Sequence, residues 1–227
     1  MRRFANLKPA AADFRIFWDN AYVVHHLYED RQAEILNILD ECEKAGNPDI
    51  VFQFCSTSKV SFPGAGIAAI SASEANIADI KKRLTIQTIG HDKINQLRHV
   101  AFFKNIDGIR AHMMEQAAII RPKFELVENL LNEEIAPRGI GKWVSPLGGY
   151  FFGFEALDGC AKQIVAKCKE AGVVLTGAGS PYPYKNDPKD SVIRIAPTYP
   201  SKEDLEEAAK VFVTVVRMVS VDKLLEK

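Results

Sequence analysis

Short apolar runs alternate with helix-like patterns through residue 89 of the chain. The runs predict buried strands at 14–18 and 50–55 and a short strand at 67–70. Apolar positions three and four apart predict helices over 30–45 and 73–89. Strands that alternate with helices favour a parallel or mixed α/β sheet, in which ligands bind beyond the carboxyl ends of the strands.

The second half of the chain predicts an α+β arrangement built on one long helix. That helical pattern runs from Asp107 to Ile135, and a kink is expected at Arg121–Pro122. Further elements follow it: strands at 142–145, 149–154, 173–176 and 192–196, a helix over 160–171 and a last helix capped by Ser201. The predicted domains are therefore 1–105 and 106–227.

Composition narrows the function classes. Lys plus Arg and Asp plus Glu both number 29, so the net charge is zero, which argues against nucleic-acid binding. The four cysteines are widely spaced without a CxxC pair, which predicts reduced thiols rather than metal ligands or disulfides. No apolar run is long enough to span a membrane. These features predict a soluble, cytoplasmic protein.

Three groups of polar residues lie at the ends of predicted strands or within one, where they could form a ligand-binding or catalytic site. Asp19 and Tyr22 place a carboxylate and a phenol at one strand end, and Ser56-Thr-Ser-Lys59 follows the next strand. Arg194 interrupts an apolar strand, and a buried guanidinium needs an anion because leaving it unpaired is costly. Each cluster also has an ordinary alternative: a solvated lysine, a turn-capping aspartate and a structural ion pair.

The order of these clusters resembles that of fold-type-I aminotransferases, which use pyridoxal 5'-phosphate. The similarity is carried by Asp19-x-x-Tyr22, the segment 56–68, Pro146-Leu-Gly-Gly-Tyr-Phe151, and Arg194 shortly before Pro197. It is greatest with the branch related to the aminotransferase domains of MocR-type proteins. The resemblance implies an α/β chain with the PLP-dependent transferase type I fold: the later part of the large-domain sheet plus an α+β C-terminal small domain.

The resemblance implies three catalytic residues around the cofactor ring. Lys59 would form the Schiff base with the cofactor aldehyde and later carry the substrate α-proton. Asp19 would pair with the pyridinium nitrogen, so that the ring accepts electrons. Tyr22 would donate a hydrogen bond to the 3-oxygen of the ring.

Phosphate and substrate binding are implied in the same way. Ser56 and Ser58 would bind the cofactor phosphate through their hydroxyl groups, and Arg194 would hold the substrate α-carboxylate as a bidentate fork. The implied reaction moves an amino group between an amino acid and a 2-oxo acid. A homodimer is the expected assembly, without metal, nucleic acid or membrane.

Two departures from the family pattern qualify this interpretation. Gly66 stands where many relatives carry a phosphate-binding arginine. Only 18 residues precede Asp19, where the family has a substantial region that supplies a phosphate-binding helix terminus, the aromatic that stacks on the pyridine ring and an asparagine near that ring. The alternative is a truncated, non-enzymatic remnant that cannot hold cofactor; a third option is a cofactor-sensing module. The stretch Asn95–His99 is expected to be a solvated helix face, and Trp18 a core residue.

Overall fold

The computed structural model describes residues 1–226, which form two compact units. The first unit comprises residues 1–24 and 33–113, and the second comprises residues 25–32 and the described chain from residue 114 onward. The domain division at 105/106, which refers to the family fold, stays a prediction.

The first unit contains a three-stranded mixed sheet. Its strands are β1 (Ile16–Asp19), β2 (Val51–Ser56) and β3 (Ala68–Ala72), in that order across the sheet. β1 and β2 run parallel, whereas β2 and β3 are antiparallel, as the expectation of a parallel or mixed sheet allowed. The helices are α1 (Arg2–Ala5), α2 (Ile38–Lys44), α3 (Glu74–Gln87), α4 (Lys93–Phe103) and the beginning of α5 (Ile106–Glu134).

The two faces of this sheet have different surroundings within the unit. Ile16 and Trp18 point to one face and pack against a core cluster that includes residues of α1 and α2. Phe17 points to the other face, where its ring lies 5.7 Å from that of Phe52 and 5.4 Å from that of Phe54. Phe17 is nonetheless 72% exposed. The prediction of a buried first strand is therefore wrong for the face of Phe17, which is open, whereas the face of Ile16 and Trp18 packs against the core.

Side-chain caps define where two helices begin. The helix predicted over 30–45 is shorter, because the Asn37 side chain accepts a hydrogen bond from Leu39 N and starts α2 there. Ile35 and Leu36, whose spacing suggested an earlier start, lie outside the helix and are exposed. Ser73 caps α3 as predicted.

The second unit packs helices on an antiparallel sheet. Its strands are β4 (Gly141–Trp143), β5 (Phe152–Ala156) and β6 (Val192–Ile195), in that order. The rest of α5, which includes Pro122, and the helices α6 (Ala161–Glu170) and α7 (Lys202–Leu225) complete it. Buried aromatic and aliphatic residues form its core, among them Phe124, Phe152, Phe154, Ile164 and Val216. Ser201 caps α7 through Asp204 N, as predicted.

One predicted strand is absent from the second unit. Residues 173–176 form no strand, because Gly172 has a φ of +87° and Val173 N donates to the Cys168 carbonyl, so the segment closes α6. Val173 and Leu175 still pack against the core, which explains their apolar character. Within residues 1–226, no helix is both long and apolar enough to cross a membrane.

Candidate active site

The parallel pairing of β1 and β2 brings two of the predicted site segments to one edge of the sheet. Asp19 pairs with Phe54, and Asn20 N donates to the Phe54 carbonyl at 2.8 Å. Side-chain alternation places Asp19 on the face of Phe17 and Ser56 on the face of Phe54. Since the rings of Phe17 and Phe54 are in contact, these are the same face. Asp19 and Ser56 thus share the carboxyl edge of the open face.

Lys59 lies at the centre of a single turn that follows β2. The backbone N–H groups of Val60 and Ser61 both donate to the Thr57 carbonyl, at 2.9 and 2.8 Å. Lys59 is exposed, whereas Val60 is buried against Phe103 and Met113. The turn therefore anchors its backbone in the core of the unit and presents the lysine at the surface.

Ser56 and Ser58 bring two hydroxyl groups together beside this turn. Ser56 Oγ donates to Ser58 Oγ at 3.2 Å, and Ser58 N lies 3.4 Å from Ser56 Oγ. Both residues are half-buried, as is Tyr22 in the turn after β1. Two hydroxyl groups and a backbone N–H at a strand end have the donor chemistry that one phosphate group requires.

Gly66 packs closely on the Lys59 turn from the returning chain. A Cβ atom at this position would lie 3.1 Å from both Ser58 N and Thr57 Oγ1. That separation is tighter than ordinary van der Waals contact, so any side chain at residue 66 would push on the turn. A glycine at residue 66 therefore leaves the turn undisturbed, whereas an arginine there would require the turn to shift.

Arg194 lies on β6 in the second unit, opposite Gly153 of β5. Its guanidinium carbon is 4.5 Å from the centre of the Phe151 ring, a cation–π distance. The Nε atom is buried and has no hydrogen-bond partner among the described residues. A buried charged donor without a partner requires an explanation, and an anionic ligand supplies one.

Asp187 supports the strand that carries Arg194, and the sequence reasoning missed it. Its carboxylate accepts hydrogen bonds from the backbone N–H groups of Lys189 at 3.0 Å and of Ser191 and Val192 at 2.8 Å. These bonds, led by that of Val192, lower the pKa of Asp187 below its usual value against the opposing effect of burial. An aspartate followed by proline in a polar loop was the available signal.

Asp187→Asn is expected to destabilise the second unit in a pH-dependent way. Because the folded-state pKa is lowered, the carboxylate contributes stability above its unfolded pKa of about 4 and loses it as the pH falls through the folded value. The difference in free energy of unfolding between the two proteins should therefore be largest near neutral pH and shrink in acid. Urea unfolding from pH 7 to pH 3 measures it; a pH-independent difference would contradict this role.

The expectation of a solvated face over Asn95–His99 is wrong at two positions. Asn95 and His99 are half-buried, and His99 Nε2 lies 3.0 Å from Thr57 Oγ1 and 2.8 Å from Ser61 Oγ. Only the intervening residues are exposed. The two residues lie four apart and so share one side of α4, but their polarity concealed this inward orientation.

Comparison with known proteins gives a consistent family assignment. The family model for aspartate aminotransferase matches residues 1–227. The chain belongs to the aspartate aminotransferase family. A relative from Mycolicibacterium smegmatis is 43% identical over 99% of this chain, and the aspartate aminotransferase of Corynebacterium glutamicum is 39% identical over 97%. The chain spans about half the length of these relatives, 52% and 51% respectively.

Solved structures extend the assignment to the fold of the aspartate aminotransferase family. An aspartate transaminase from Corynebacterium glutamicum superposes with a TM-score of 0.91 at 39% identity, covering 98% of this chain and 52% of that one. LysN from Thermus thermophilus, an α-aminoadipate aminotransferase complexed with N-(5'-phosphopyridoxyl)-L-leucine, superposes with a TM-score of 0.70 at 18% identity, covering 91% of this chain and 51% of that one. The predicted family resemblance and fold class are confirmed.

The structure brings together only part of the predicted site. Asp19, Tyr22, Ser56, Ser58 and Lys59 all belong to the first unit, along β1, β2 and the segments that follow them. Arg194 belongs to the second unit, where β5 and β6 define its surroundings.

Proposed function

We propose that this chain is part of a pyridoxal-phosphate-dependent aminotransferase that moves an amino group between an amino acid and a 2-oxo acid. The observation that carries the proposal is the shared carboxyl edge of β1 and β2, where Asp19 and Ser56 lie on one face and the Lys59 turn follows. Membership of the aspartate aminotransferase family supports the reaction class.

The residues present fit the cofactor. Asp19 offers a carboxylate for a protonated ring nitrogen, Tyr22 a phenol for the ring oxygen, and Lys59 an amine for covalent attachment. The paired hydroxyl groups of Ser56 and Ser58 suit the phosphate. When bound, pyridoxal phosphate supplies an electron sink for the charge that develops at the substrate α-carbon.

The proposed contributions of the chain are attachment, orientation and proton transfer. The Lys59 amine would hold the cofactor covalently and, as a free amine, would accept the proton that leaves the substrate α-carbon and pass it on to complete the transfer. Asp19 holds the proton on the ring nitrogen by charge pairing. Arg194 orients the substrate through its α-carboxylate, and its unpaired buried Nε supports a ligand that brings an anion.

The proposal extends to the oligomeric state of the protein and to its cellular compartment. We expect a homodimer in the reducing cytoplasm. The four unpaired thiols, three of them buried, are compatible with that compartment. Burial raises the pKa of Cys168 to about 11 and keeps that thiol unreactive.

The direct test is to trap the attached cofactor. The purified protein is incubated with pyridoxal phosphate, reduced with borohydride, digested and analysed by mass spectrometry. A phosphopyridoxyl group on Lys59 is the expected result. Attachment mainly at Lys142 or Lys185 would overturn the assignment of Lys59.

A non-enzymatic remnant of such an enzyme is the second candidate. The open face of the first sheet, with Phe17 72% exposed, and the length of the relatives favour it for a protein of these 227 residues alone. Visible absorption after addition of pyridoxal phosphate separates the two candidates. A remnant unable to hold cofactor gives only the spectrum of the free aldehyde.

Arg194→Met is expected to weaken the binding of 2-oxoglutarate without destabilising the fold. The unfolding midpoint in urea should stay unchanged or rise, because methionine keeps the contact with Phe151 and removes a buried donor without a partner. Affinity for 2-oxoglutarate should fall roughly 10- to 100-fold, the effect of losing one charge-assisted interaction. Urea unfolding curves measure the midpoint, and a thermal shift titration with 2-oxoglutarate measures the affinity.

The control for this prediction is Arg217→Met in α7. Arg217 pairs with Glu134 at 2.8 Å and is partly exposed, so its loss removes a cation of the same unit from a different place. The control should bind 2-oxoglutarate as the wild type does. Equal weakening in both variants would mean that the effect of Arg194 reflects net charge alone.

A further inference from the structure

We propose that His99 is a positioning residue for Lys59, holding the turn Thr57–Ser61 through its Nε2 atom. His99 lies on α4 and belongs to none of the motifs that carry the family resemblance. The significance of the turn rests on the proposed function of Lys59, whereas the contacts of His99 do not.

The hydrogen bonds of His99 define the state of its ring. Nδ1 lies 2.8 Å from the Asn95 carbonyl, which can only accept, so Nδ1 carries a proton. In the neutral ring Nε2 is then an acceptor. Two hydroxyl groups reach it, Ser61 Oγ at 2.8 Å and Thr57 Oγ1 at 3.0 Å. Thr57 Oγ1 accepts from Ile67 N at 2.9 Å, and for its own proton Nε2 at 3.0 Å is a nearer acceptor than the Ile67 carbonyl at 3.5 Å.

These contacts hold the turn at its first and its last residue. Thr57 and Ser61 stand two residues before and two residues after Lys59, and one imidazole nitrogen reaches both. Asn95, one helical turn earlier on α4, donates from Nδ2 to the Gly66 carbonyl at 3.0 Å. The helix thus fixes both the turn and the chain that returns from it.

The position of the Lys59 amine depends on this arrangement. The Lys59 side chain extends from the centre of the turn and is exposed, so any shift of the turn backbone shifts the starting point of the amine. Without the acceptor at Nε2, both hydroxyl groups lose their contact with α4. Ser61 Oγ keeps acceptors within the turn, the Thr57 carbonyl and Thr57 Oγ1 at 3.2 Å each, so the turn is no longer tied to the helix at this point. The consequence is expected in the reactivity of Lys59 more than in the stability of the fold.

The test compares His99→Phe with His99→Gln. Phenylalanine keeps an aromatic ring beside Phe103, whose ring lies 6.0 Å from that of His99, but offers no acceptor. Glutamine restores an acceptor close to the Nε2 position. Each protein is treated with pyridoxal phosphate and borohydride, and the rate of labelling at Lys59 is divided by that at the exposed Lys185 in the same sample.

We expect the ratio to fall about tenfold in His99→Phe and to stay within about twofold of wild type in His99→Gln, as for loss and retention of one partly buried hydrogen bond. An unchanged ratio in His99→Phe, or equal losses in both variants, overturns the proposal. The ratio within one sample corrects for differences in reagent and in the amount of folded protein.

Two cofactor-free measurements separate this proposal from the proposed function. Nitrogen-15 NMR should show His99 protonated at Nδ1 and not at Nε2, and His99→Phe should speed amide exchange at Val60, Ser61 and Ile67 relative to α3. A ring protonated at Nε2, or exchange unaltered at all three amides, overturns the role of His99. Wild-type protein that is unlabelled at Lys59 but behaves as expected in both measurements contradicts the proposed function and leaves the His99 contacts supported.

Discussion

Lys59→Ala is expected to abolish covalent attachment of pyridoxal phosphate while the fold stays intact. The lysine is the amine at the carboxyl edge shared by β1 and β2, and it is exposed. Removing an exposed side chain changes the free energy of unfolding by about 0.5 kcal/mol or less. The measurement is the visible absorption band that appears with the cofactor, together with the urea unfolding curve.

Lys142→Ala and Lys185→Ala are the matched controls for this prediction. Both lysines are exposed and both lie in the second unit, so their loss tests non-specific reaction of surface amines with the aldehyde. Each control should keep the absorption band at wild-type intensity. A band that persists in Lys59→Ala, or disappears in either control, would place the attachment elsewhere.

The positions of the chemical groups could be predicted because local pattern determines them. Runs of apolar residues predicted the strands that end at Asp19 and Cys55. Because these two strands pair in parallel, the residues that follow them lie at the same edge of the sheet. Arg194 could be singled out as a candidate anion-binding residue because a charged side chain within an apolar strand is costly unless it has a partner. In both cases the signal lies within a few consecutive residues.

The supporting contacts could not be predicted, because they join residues far apart in the chain or depend on the conformation of a loop. His99 reaches Thr57 across 42 positions, and nothing in the polar run around it distinguishes an inward histidine from a solvated one. Asp187 is a local case, but its three backbone bonds depend on a loop conformation that composition alone does not specify. Phe17 was predicted to be buried, because apolar residues in strands usually are, but it is exposed.

A protein consisting of these 227 residues alone is expected to show little or no transamination. The resemblance assigns to the upstream region of the relatives the helix terminus that binds phosphate and the aromatic that stacks on the ring. Losing two charge-assisted hydrogen bonds to phosphate, each worth roughly 1.5–3 kcal/mol, would weaken cofactor binding by about two to four orders of magnitude. Ser56 and Ser58 would then carry most of the phosphate binding.

A protein of these 227 residues alone is also expected to self-associate. The first unit leaves large apolar side chains exposed on the open sheet face and on α4, among them Phe17 at 72%, Ile94 at 75% and Leu97 at 66%. Exposed apolar surface of this kind drives association in water. Phe17→Ser should therefore lower the apparent mass in light scattering, whereas Ile119→Ser, equally exposed but on α5, serves as the control.

The decisive measurement is turnover with several amino acids and 2-oxoglutarate in the presence of excess pyridoxal phosphate. The aspartate aminotransferase of Corynebacterium glutamicum is the positive control, since it shares 39% identity with this chain and is about twice as long. Excess cofactor compensates for weak binding but not for a missing ring contact, so activity should stay low even at saturation. Turnover comparable to that of the control would show that β1, β2 and the Lys59 turn hold the cofactor without an upstream region, and would also contradict the remnant interpretation.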